Sequence, residues 1–194
     1  VYVKRGSSKK LACTTNLRVV FVSDSDVEIV VKDGNTVYGV VTCDNKGVPN
    51  VVVSDGYEMT VTDSDGVYQF KSGKAHGYVF ISIPSGYNAK SNGVIPKFFQ
   101  SLALPSYTPE RIDFLLDKSE MDQTNHTMMF FGDMHLANRT NDIAQFSTFT
   151  DEINLWVQAH RDTPVYAITL GDMTWDLYWV SNTYDLSNYL NEIN

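Results

Sequence analysis

The sequence predicts a chain of more than one domain, in which an all-β sandwich is followed by a partial α/β unit of the βαβ type. Between residues 17 and 116, short runs of β-branched and aromatic residues are separated by clusters of Gly, Asp, Asn and Ser, as in antiparallel sandwiches. From residue 127 the pattern changes to two short apolar segments that flank a stretch with apolar residues at spacings of three or four. That pattern is typical of two parallel strands joined by a helix.

The composition is that of a folded protein and limits the classes of partner. Hydrophobic residues make up 43% of the 194 residues, charged residues 20% and aromatic residues 12%, which argues against disorder. The formal net charge of −8 repels phosphate backbones, so we expect no nucleic-acid binding through a basic surface. A small phosphate ester is not excluded, because a bound metal would reverse the local field. No segment approaches the roughly 20 apolar residues of a membrane span, so we expect none.

Residues 1–16 are polar and basic and are predicted to form a loosely held N-terminal arm. The chain begins at Val1 with no visible signal peptide, which predicts a mature or trimmed product. Its two cysteines, Cys13 and Cys43, form no Cys-x-x-Cys pair, so no thiolate metal site is indicated. They fit either one disulfide in a secreted protein or two free thiols, and both interpretations stay open.

Residues 17–120 are predicted to form the sandwich module. Its strands are expected at residues 17–22, 27–31, 37–42, 51–54, 58–62, 67–70, 78–83 and 111–116. Asp63-Ser64-Asp65-Gly66 is predicted to be a tight turn, because a calcium loop of the EF-hand type would need a further Asp or Asn and a distal Glu. Residues 88–126 are expected to be a connector around the last strand, with the linker to the next domain at residues 121–126.

Residues 127–194 are predicted to begin an α/β domain. An apolar strand at residues 128–131 stops at Gly132-Asp133-Met134-His135, and a second at residues 165–170 stops at Gly171-Asp172; such runs suit strands buried on both faces. Between them, a helix is predicted with Asn141 as its N-cap and an end near Arg161 and Pro164. Its apolar stripe consists of Ile143, Phe146, Phe149, Ile153, Trp156 and Val157.

Asp133 and Asp172 each follow the carboxyl end of a predicted strand. If the two strands are parallel neighbours about 4.8 Å apart, both carboxylates emerge at the same edge of the sheet, where open α/β sheets bind ligands. His135, two residues after Asp133, can turn its imidazole toward the same point. Two carboxylates and one neutral imidazole suit a divalent cation such as Mn, Fe or Zn. We therefore predict a metal site made of Asp133, His135 and Asp172.

Several segments of the sandwich resemble a known module. Gly39-Val40-Val41, residues 47–56 (GVPNVVVSDG) and residues 62–68 (TDSDGVY) resemble prealbumin-like, carboxypeptidase-regulatory-like sandwich modules. Residues 79–87 (VFISIPSGY) are similar to the module that precedes calcineurin-like phosphoesterase domains in Bacteroidetes-type bacterial proteins. The resemblance covers roughly residues 35–120 and implies a protein of the periplasm, the cell surface or the extracellular space.

The two apolar strands end in motifs that resemble those of the calcineurin-like metallophosphoesterases. Gly132-Asp133-Met134-His135 is similar to their D-x-H motif, and Gly171-Asp172 is similar to the G-D motif after the next strand. The resemblance implies that Asp133 and His135 bind a first metal and that Asp172 bridges it to a second. It also implies two divalent metals, a hydroxide held between them that attacks phosphorus, and a phosphate-ester small molecule or phosphodiester as substrate.

The sequence departs from that family pattern in two ways. The stretch from Gly171 to Asp176 is one residue longer than G-D-x-x-D, so Asp176 is expected beside the ligands or as a helix cap, and Tyr178 near the site. The G-N-H-D/E motif that supplies a further ligand and the catalytic histidine is absent, as are the later histidine motifs. We therefore expect no catalytic residue in this chain, a truncation after the second metal motif, and no activity of the fragment alone.

A non-catalytic function is the alternative. In that interpretation the sandwich is a binding or spacer module of a cell-surface protein, and Tyr57, Tyr87 and Tyr107 are exposed aromatic contacts. The remaining histidines match no motif and are expected in a turn, in the linker and at the end of the helix. They are His76, His126 and His160.

Overall fold

The computed structural model describes residues 27–137, 141–175 and 184–193. Within them the chain is mostly β-structure with few helices, consistent with an N-terminal β-sandwich module. The first twelve strands are β1 (Val37–Cys43), β2 (Lys46–Gly47), β3 (Val52–Ser54), β4 (Met59–Val61), β5 (Val67–Phe70), β6 (Tyr78–Ser82), β7 (Tyr87–Ala89), β8 (Ser91–Asn92), β9 (Ile95–Pro96), β10 (Phe99–Ser101), β11 (Glu110–Arg111) and β12 (Phe114–Lys118). They are followed by β13 (Thr127–Phe131), α1 (Asp142–Ala159), β14 (Val165–Thr169) and α2 (Leu186–Glu192).

β1 is the central strand of the larger sheet. It pairs antiparallel with β2 and β5 and parallel with β11 and β12, and β7 extends the sheet beyond β12. Val37, Val40 and Val41 of this strand are fully buried, as β-branched residues in a central strand commonly are. The smaller sheet has the order β10-β6-β3-β4, and β8 and β9 form a separate hairpin.

The core of the sandwich lies between the two sheets and follows from alternation along the strands. In β6, Val79 and Ile81 are buried while Tyr78 and Phe80 are exposed. At roughly 1.5–3 kcal/mol for each fully buried large side chain, the cluster is the main stabilising feature of this part of the chain. Its members are Val37, Val41, Cys43, Val48, Val51, Val53, Tyr68, Phe70, Val79, Ile81, Ile112, Phe114 and Leu116.

The strands predicted between residues 37 and 83 are all found, each within one residue of its predicted bounds. The tight turn after β4 is also confirmed. Asp63 Oδ1 accepts hydrogen bonds from Asp65 N at 3.0 Å and Val67 N at 2.9 Å, and Gly66 takes a positive φ of 75°. An aspartate at the start of such a turn caps its own backbone, so no ion is needed to hold the loop.

The strand predicted at residues 27–31 is absent. Side chains of the larger sheet hold this segment instead of a ladder of backbone hydrogen bonds. Gln69 Oε1 accepts from Lys32 N at 2.7 Å, Gln69 Nε2 donates to Val30 O at 3.3 Å, and Arg111 Nη1 donates to Val27 O at 3.0 Å. Val30 is 83% exposed, while Ile29 and Val31 are half-buried, so the run alternates in exposure without forming a backbone ladder. The strand predicted at residues 17–22, the arm at residues 1–16 and Cys13 lie outside the described residues; Cys43 is buried with a free thiol.

The strand predicted at residues 111–116 is split into β11 and β12. Between them Asp113 Oδ1 accepts a hydrogen bond from Val40 N at 2.9 Å, in the place of a backbone carbonyl of the ladder. Gly39 permits this close approach, because a Cβ at that position would lie 1.7 Å from Ile112 O. The expected connector at residues 88–126 is also more structured than predicted, since it contains β8, β9 and β10 and most of β7.

β13 and β14 form a parallel pair, as predicted, with the register running from Thr127–Val165 to Phe131–Thr169. One face of the pair contacts α1, where the rings of Phe131 and Phe149 meet edge to face at a centroid distance of 5.4 Å. The prediction of burial on both faces is wrong for the described residues. Phe130 is 64% exposed and Ile168 is 47% exposed, so the face away from α1 is open.

α1 begins at the predicted position, but Asn141 does not cap it with its side chain. Asn141 instead takes a left-handed backbone with φ of 61°, and the following residue, Asp142, accepts a hydrogen bond from Ala137 N at 2.8 Å. Of the predicted apolar stripe, only Phe146 is buried. The helix ends at Ala159 with His160 as its C-cap, so His160 lies at the carboxyl end as expected.

Candidate metal centre

The parallel pairing of β13 and β14 continues into the two loops that follow the strands. Leu170 N donates to Phe131 O at 2.7 Å, and the next contacts are His135 N to Asp172 O at 2.8 Å and Leu136 N to Met173 O at 3.1 Å. An isolated parallel bridge joins Leu136 to Thr174. The loop that carries Asp133 and His135 is therefore fixed directly against the loop that carries Asp172.

Three residues of these loops have left-handed backbones. The φ angles are 56° at Asp133, 46° at His135 and 45° at Asp172. Such angles are uncommon for residues other than glycine, and non-glycine residues that hold them cluster at functional sites. Here they turn the chain sharply beyond each strand while the hydrogen bonds between the loops are kept.

The result is a compact group of three side chains. One possible ligand atom from each of Asp133, His135 and Asp172 lies within 4.8 Å of the other two. His135 Nε2 is 3.7 Å from Asp133 Oδ1, and the side chain of Asp133 is 80% exposed while that of His135 is 37% exposed. Asp172 is also exposed. The predicted neighbourhood of these three residues is thus present, at an open edge of the β13–β14 pair.

The group fits a divalent cation by its chemistry. Carboxylate oxygens and imidazole nitrogens bind such ions at about 2.0–2.2 Å, so ligand atoms on different sides of one ion lie up to about 4.4 Å apart. Side-chain movements of a few tenths of an ångström would bring three atoms spaced within 4.8 Å to these distances. The donor set of two oxygens and one nitrogen suits Mn, Fe or Zn alike, and it does not select one of them.

A second apolar cluster packs against the loops that carry the candidate ligands. Met134, between the two candidate ligands of its loop, packs against this cluster, and its Sδ accepts a hydrogen bond from Tyr189 Oη at 3.8 Å. Burial, with smaller contributions from nearby carboxylates such as Glu192, raises the pKa of Tyr184 to about 12, so this phenol stays neutral at physiological pH. The buried members are Leu136, Phe146, Tyr184 and Tyr189.

Trp175 is the neighbour of the site that sequence reasoning missed. Its indole ring lies 4.8 Å from the imidazole of His135 between centroids, and its backbone N donates to Leu136 O at 3.0 Å. The signal in the sequence was an aromatic residue three positions after Asp172, but spacing alone could not place its ring. Asp176 and Tyr178, which were predicted near the ligands, lie outside the described residues.

Each of the remaining histidines contacts an aromatic ring outside the candidate site. The ring of His76 stacks on that of Tyr57, that of His126 meets Tyr166 edge to face, and that of His160 stacks on Trp156. None belongs to the cluster of possible metal ligands found in the described part of the chain. The aromatic surface of the sandwich is smaller than predicted, because Tyr57 and Tyr107 are exposed but Tyr87 is half-buried against the core.

Comparison with known proteins bears on the sandwich rather than on the metal centre. Residues 35–119 match the family model described as MetallophosN, N terminal of Calcineurin-like phosphoesterase. The match supports the metallophosphoesterase family. Such a family implies divalent metals and a phosphate-ester substrate. A search of curated proteins found no match. None of the helices in the described ranges has the length and apolar character needed to cross a bilayer.

Proposed function

We propose that this chain is part of a metal-dependent phosphoesterase that hydrolyses a phosphoric mono- or diester with a hydroxide activated by two divalent metals. The observation that carries the proposal is the Asp133–His135–Asp172 group at the open edge of a parallel strand pair. The match of residues 35–119 to the N-terminal module of calcineurin-like phosphoesterases supports it independently, since the module and the group lie in different parts of the sequence.

The roles of the three side chains follow from their chemistry. The carboxylates of Asp133 and Asp172 would supply the negative charge that holds a cation, and Asp172 would be the residue shared with a second ion. His135 adds a neutral nitrogen ligand, which leaves the site less negative for an anionic ester. When bound, divalent ions lower the pKa of water and offset the charge that develops on the phosphoryl oxygens. The exposure of Asp133 leaves the site open for an ester to approach.

We further propose that the three residues are not sufficient for efficient turnover. Two metals need more ligands than Asp133, His135 and Asp172 provide, and these three form the cluster of possible ligands found in the described ranges. We expect the remaining ligands and the general acid on chain segments beyond the described ones. The finer proposals, a Bacteroidetes-type module at residues 17–120 followed by a linker at residues 121–126, and a periplasmic, surface or extracellular location, rest on the resemblance of the sandwich.

Hydrolysis of a chromogenic phosphodiester and phosphomonoester, with and without added Mn²⁺, tests the proposal. The complete natural protein that contains this sequence is the sample, and the 194-residue chain is assayed beside it. We expect Mn²⁺-dependent turnover that is lost in Asp172→Asn, with Asp162→Asn, an exposed aspartate after α1, as the matched control. Equal and negligible turnover under all conditions would contradict the proposal.

A non-catalytic binding module is the second candidate. Tyr57 is 71% exposed and its ring stacks on His76 at a centroid distance of 4.8 Å with an interplanar angle of 5°, which forms a flat aromatic surface on the sandwich. Flat aromatic surfaces suit stacking ligands. If the assay shows no turnover while Tyr57→Ala reduces binding of the protein to a cell-surface fraction, this candidate is favoured.

A further inference from the structure

Trp175 packs on a candidate metal ligand without offering a ligand atom itself. The indole and the imidazole of His135 lie 4.8 Å apart between centroids, with 57° between the ring planes. Such tilted aromatic contacts are attractive beyond the area they bury. Trp175 N donates to Leu136 O, the carbonyl of the residue that follows His135, so backbone and side chain of Trp175 hold the same two-residue segment.

The neighbouring residues Met134 and His135 direct their side chains into different surroundings. Met134 points into the apolar cluster below the loop, where Tyr189 Oη donates to its Sδ. His135 therefore emerges on the side of the site, 37% exposed, where an imidazole without a neighbour would sample several rotamers. Among the described aromatic rings, that of Trp175 lies against the imidazole of His135.

We propose that Trp175 is a positioning residue that holds the imidazole of His135 in the orientation that binds a divalent metal together with Asp133 and Asp172. The inference rests on the proposed function of this site. In the present orientation His135 Nε2 faces Asp133 Oδ1 at 3.7 Å, and rotation of the ring would remove the nitrogen from the carboxylates. The apparent affinity for a ligand falls by the fraction of molecules in the competent conformation, so loss of the contact weakens metal binding.

The chain contains a matched control pair. Trp156 stacks on His160 at a centroid distance of 3.9 Å and an interplanar angle of 19°, near the carboxyl end of α1 and away from the site. Trp156 is 37% exposed and its ring likewise packs on an imidazole, so Trp156→Ala removes an indole–histidine pair of the same kind. Its substitution has no reason to change metal binding.

The first measurement needs no metal. Ring currents of the indole shift the imidazole protons of His135, and the chain has four histidines, so their signals can be assigned by His135→Gln. In the metal-free 194-residue chain we expect the His135 signals to move toward random-coil positions in Trp175→Ala, and to stay shifted in Asp172→Asn and Trp156→Ala. If the His135 signals do not move in Trp175→Ala, the inference is overturned.

The second measurement is the affinity of the same chain for Mn²⁺ alone, from the electron paramagnetic resonance of free Mn²⁺. Removal of groups that orient a metal ligand commonly weakens metal binding by about 10–100-fold, so we expect at least about tenfold weaker binding in Trp175→Ala. Trp175→Phe, which keeps an aromatic ring, should recover most of the loss, and Trp156→Ala should bind as the wild type does. Circular dichroism confirms that each variant is folded.

The outcomes separate the two proposals. Equal Mn²⁺ affinity in the wild type and Trp175→Ala, with binding abolished in Asp172→Asn, would overturn the positioning role and leave the metal site standing. Absence of Mn²⁺ binding in the wild type would contradict the metal site, and the positioning role with it. Weaker binding in Trp175→Ala that Trp175→Phe restores supports both.

Discussion

Two oppositely charged residues of the sandwich are buried together, in surroundings where an unpaired charge would be costly. Lys74 Nζ lies 2.7 Å from Glu110 Oε2, and the two side chains are 4% and 10% exposed. The amides of Ala103 and Leu104 also donate to this carboxylate, and the carbonyls of Leu104 and Thr108 accept from Lys74. These backbone partners all lie in the loop between β10 and β11, so the ion pair fixes that loop to the end of the sandwich.

Glu110→Gln should destabilise the protein by about 3 kcal/mol at pH 7, because it leaves a buried ammonium without its counter-ion. Urea unfolding followed by fluorescence measures the loss. Asp117→Asn is the control, since Asp117 pairs with Lys90 at 2.5 Å with both side chains about half exposed, and such pairs contribute roughly 0–1 kcal/mol. Losses of similar size in the two variants would contradict the importance of burial.

The same carboxylate gives a pH dependence. Burial opposes its ionisation, but the hydrogen bonds from Lys74 and the two amides outweigh burial and place the pKa of Glu110 below its ordinary 4.5. A lowered native pKa stabilises the fold above the unfolded-state pKa, and this stability is lost as pH falls through the native value. The difference in unfolding free energy between wild type and Glu110→Gln should therefore shrink below about pH 4.5, and a constant difference from pH 7 to pH 3 would contradict this.

At the scale of elements, the join between β11 and β12 depends on Gly39. A Cβ at this position would lie 1.7 Å from Ile112 O, which is backbone and cannot rotate away. We expect Gly39→Ala to destabilise the sandwich by about 1–3 kcal/mol as an overpacked site, measured by thermal unfolding. Gly73→Ala is the control, because nothing lies within 4 Å of a Cβ there, and it should be neutral or slightly stabilising.

Elements with a clear period were predictable from sequence, and the others were not. β6 alternates between buried and exposed residues, and the pattern located it to within one residue. β8 and β9 have two residues each, too few to show a period, and β11 and β12 were merged because the interruption is made by the side chain of Asp113. Asp133 and Asp172 were predictable as residues at strand ends, whereas the contact of Trp175 with His135 depends on how two loops meet.

At the scale of the whole molecule, the described residues contain two apolar clusters that share no member. One lies between the sheets of the sandwich and the other below the loops of the candidate metal centre. We propose that they correspond to separate units, one in residues 27–120 and one in the described residues that follow Thr127, and that these units unfold in separate steps. The open face of β13 and β14, with Phe130 and Ile168 exposed, makes the second unit the less stable of the two.

Calorimetry with Mn²⁺ tests this arrangement. A ligand that binds only the folded state stabilises it by about 2.7 kcal/mol at a concentration 100 times its Kd. Mn²⁺ should raise the temperature of one unfolding transition and leave the other unchanged, and Asp172→Asn should abolish the shift. A single transition that moves as a whole, or a shift retained in Asp172→Asn, would contradict the proposed division.

The parallel pairing of β1 with β12 has a consequence for biosynthesis. Val40 and Asp113, which meet at this junction, are 73 residues apart in the chain. At roughly 5–20 residues per second, β1 is made on the order of ten seconds before the strand that completes its pairing. Throughout that interval one edge of a valine-rich strand has no partner from its own sheet. Nascent chains stalled before residue 114 should therefore bind chaperones through β1, and chains long enough to expose β12 outside the ribosome should be released.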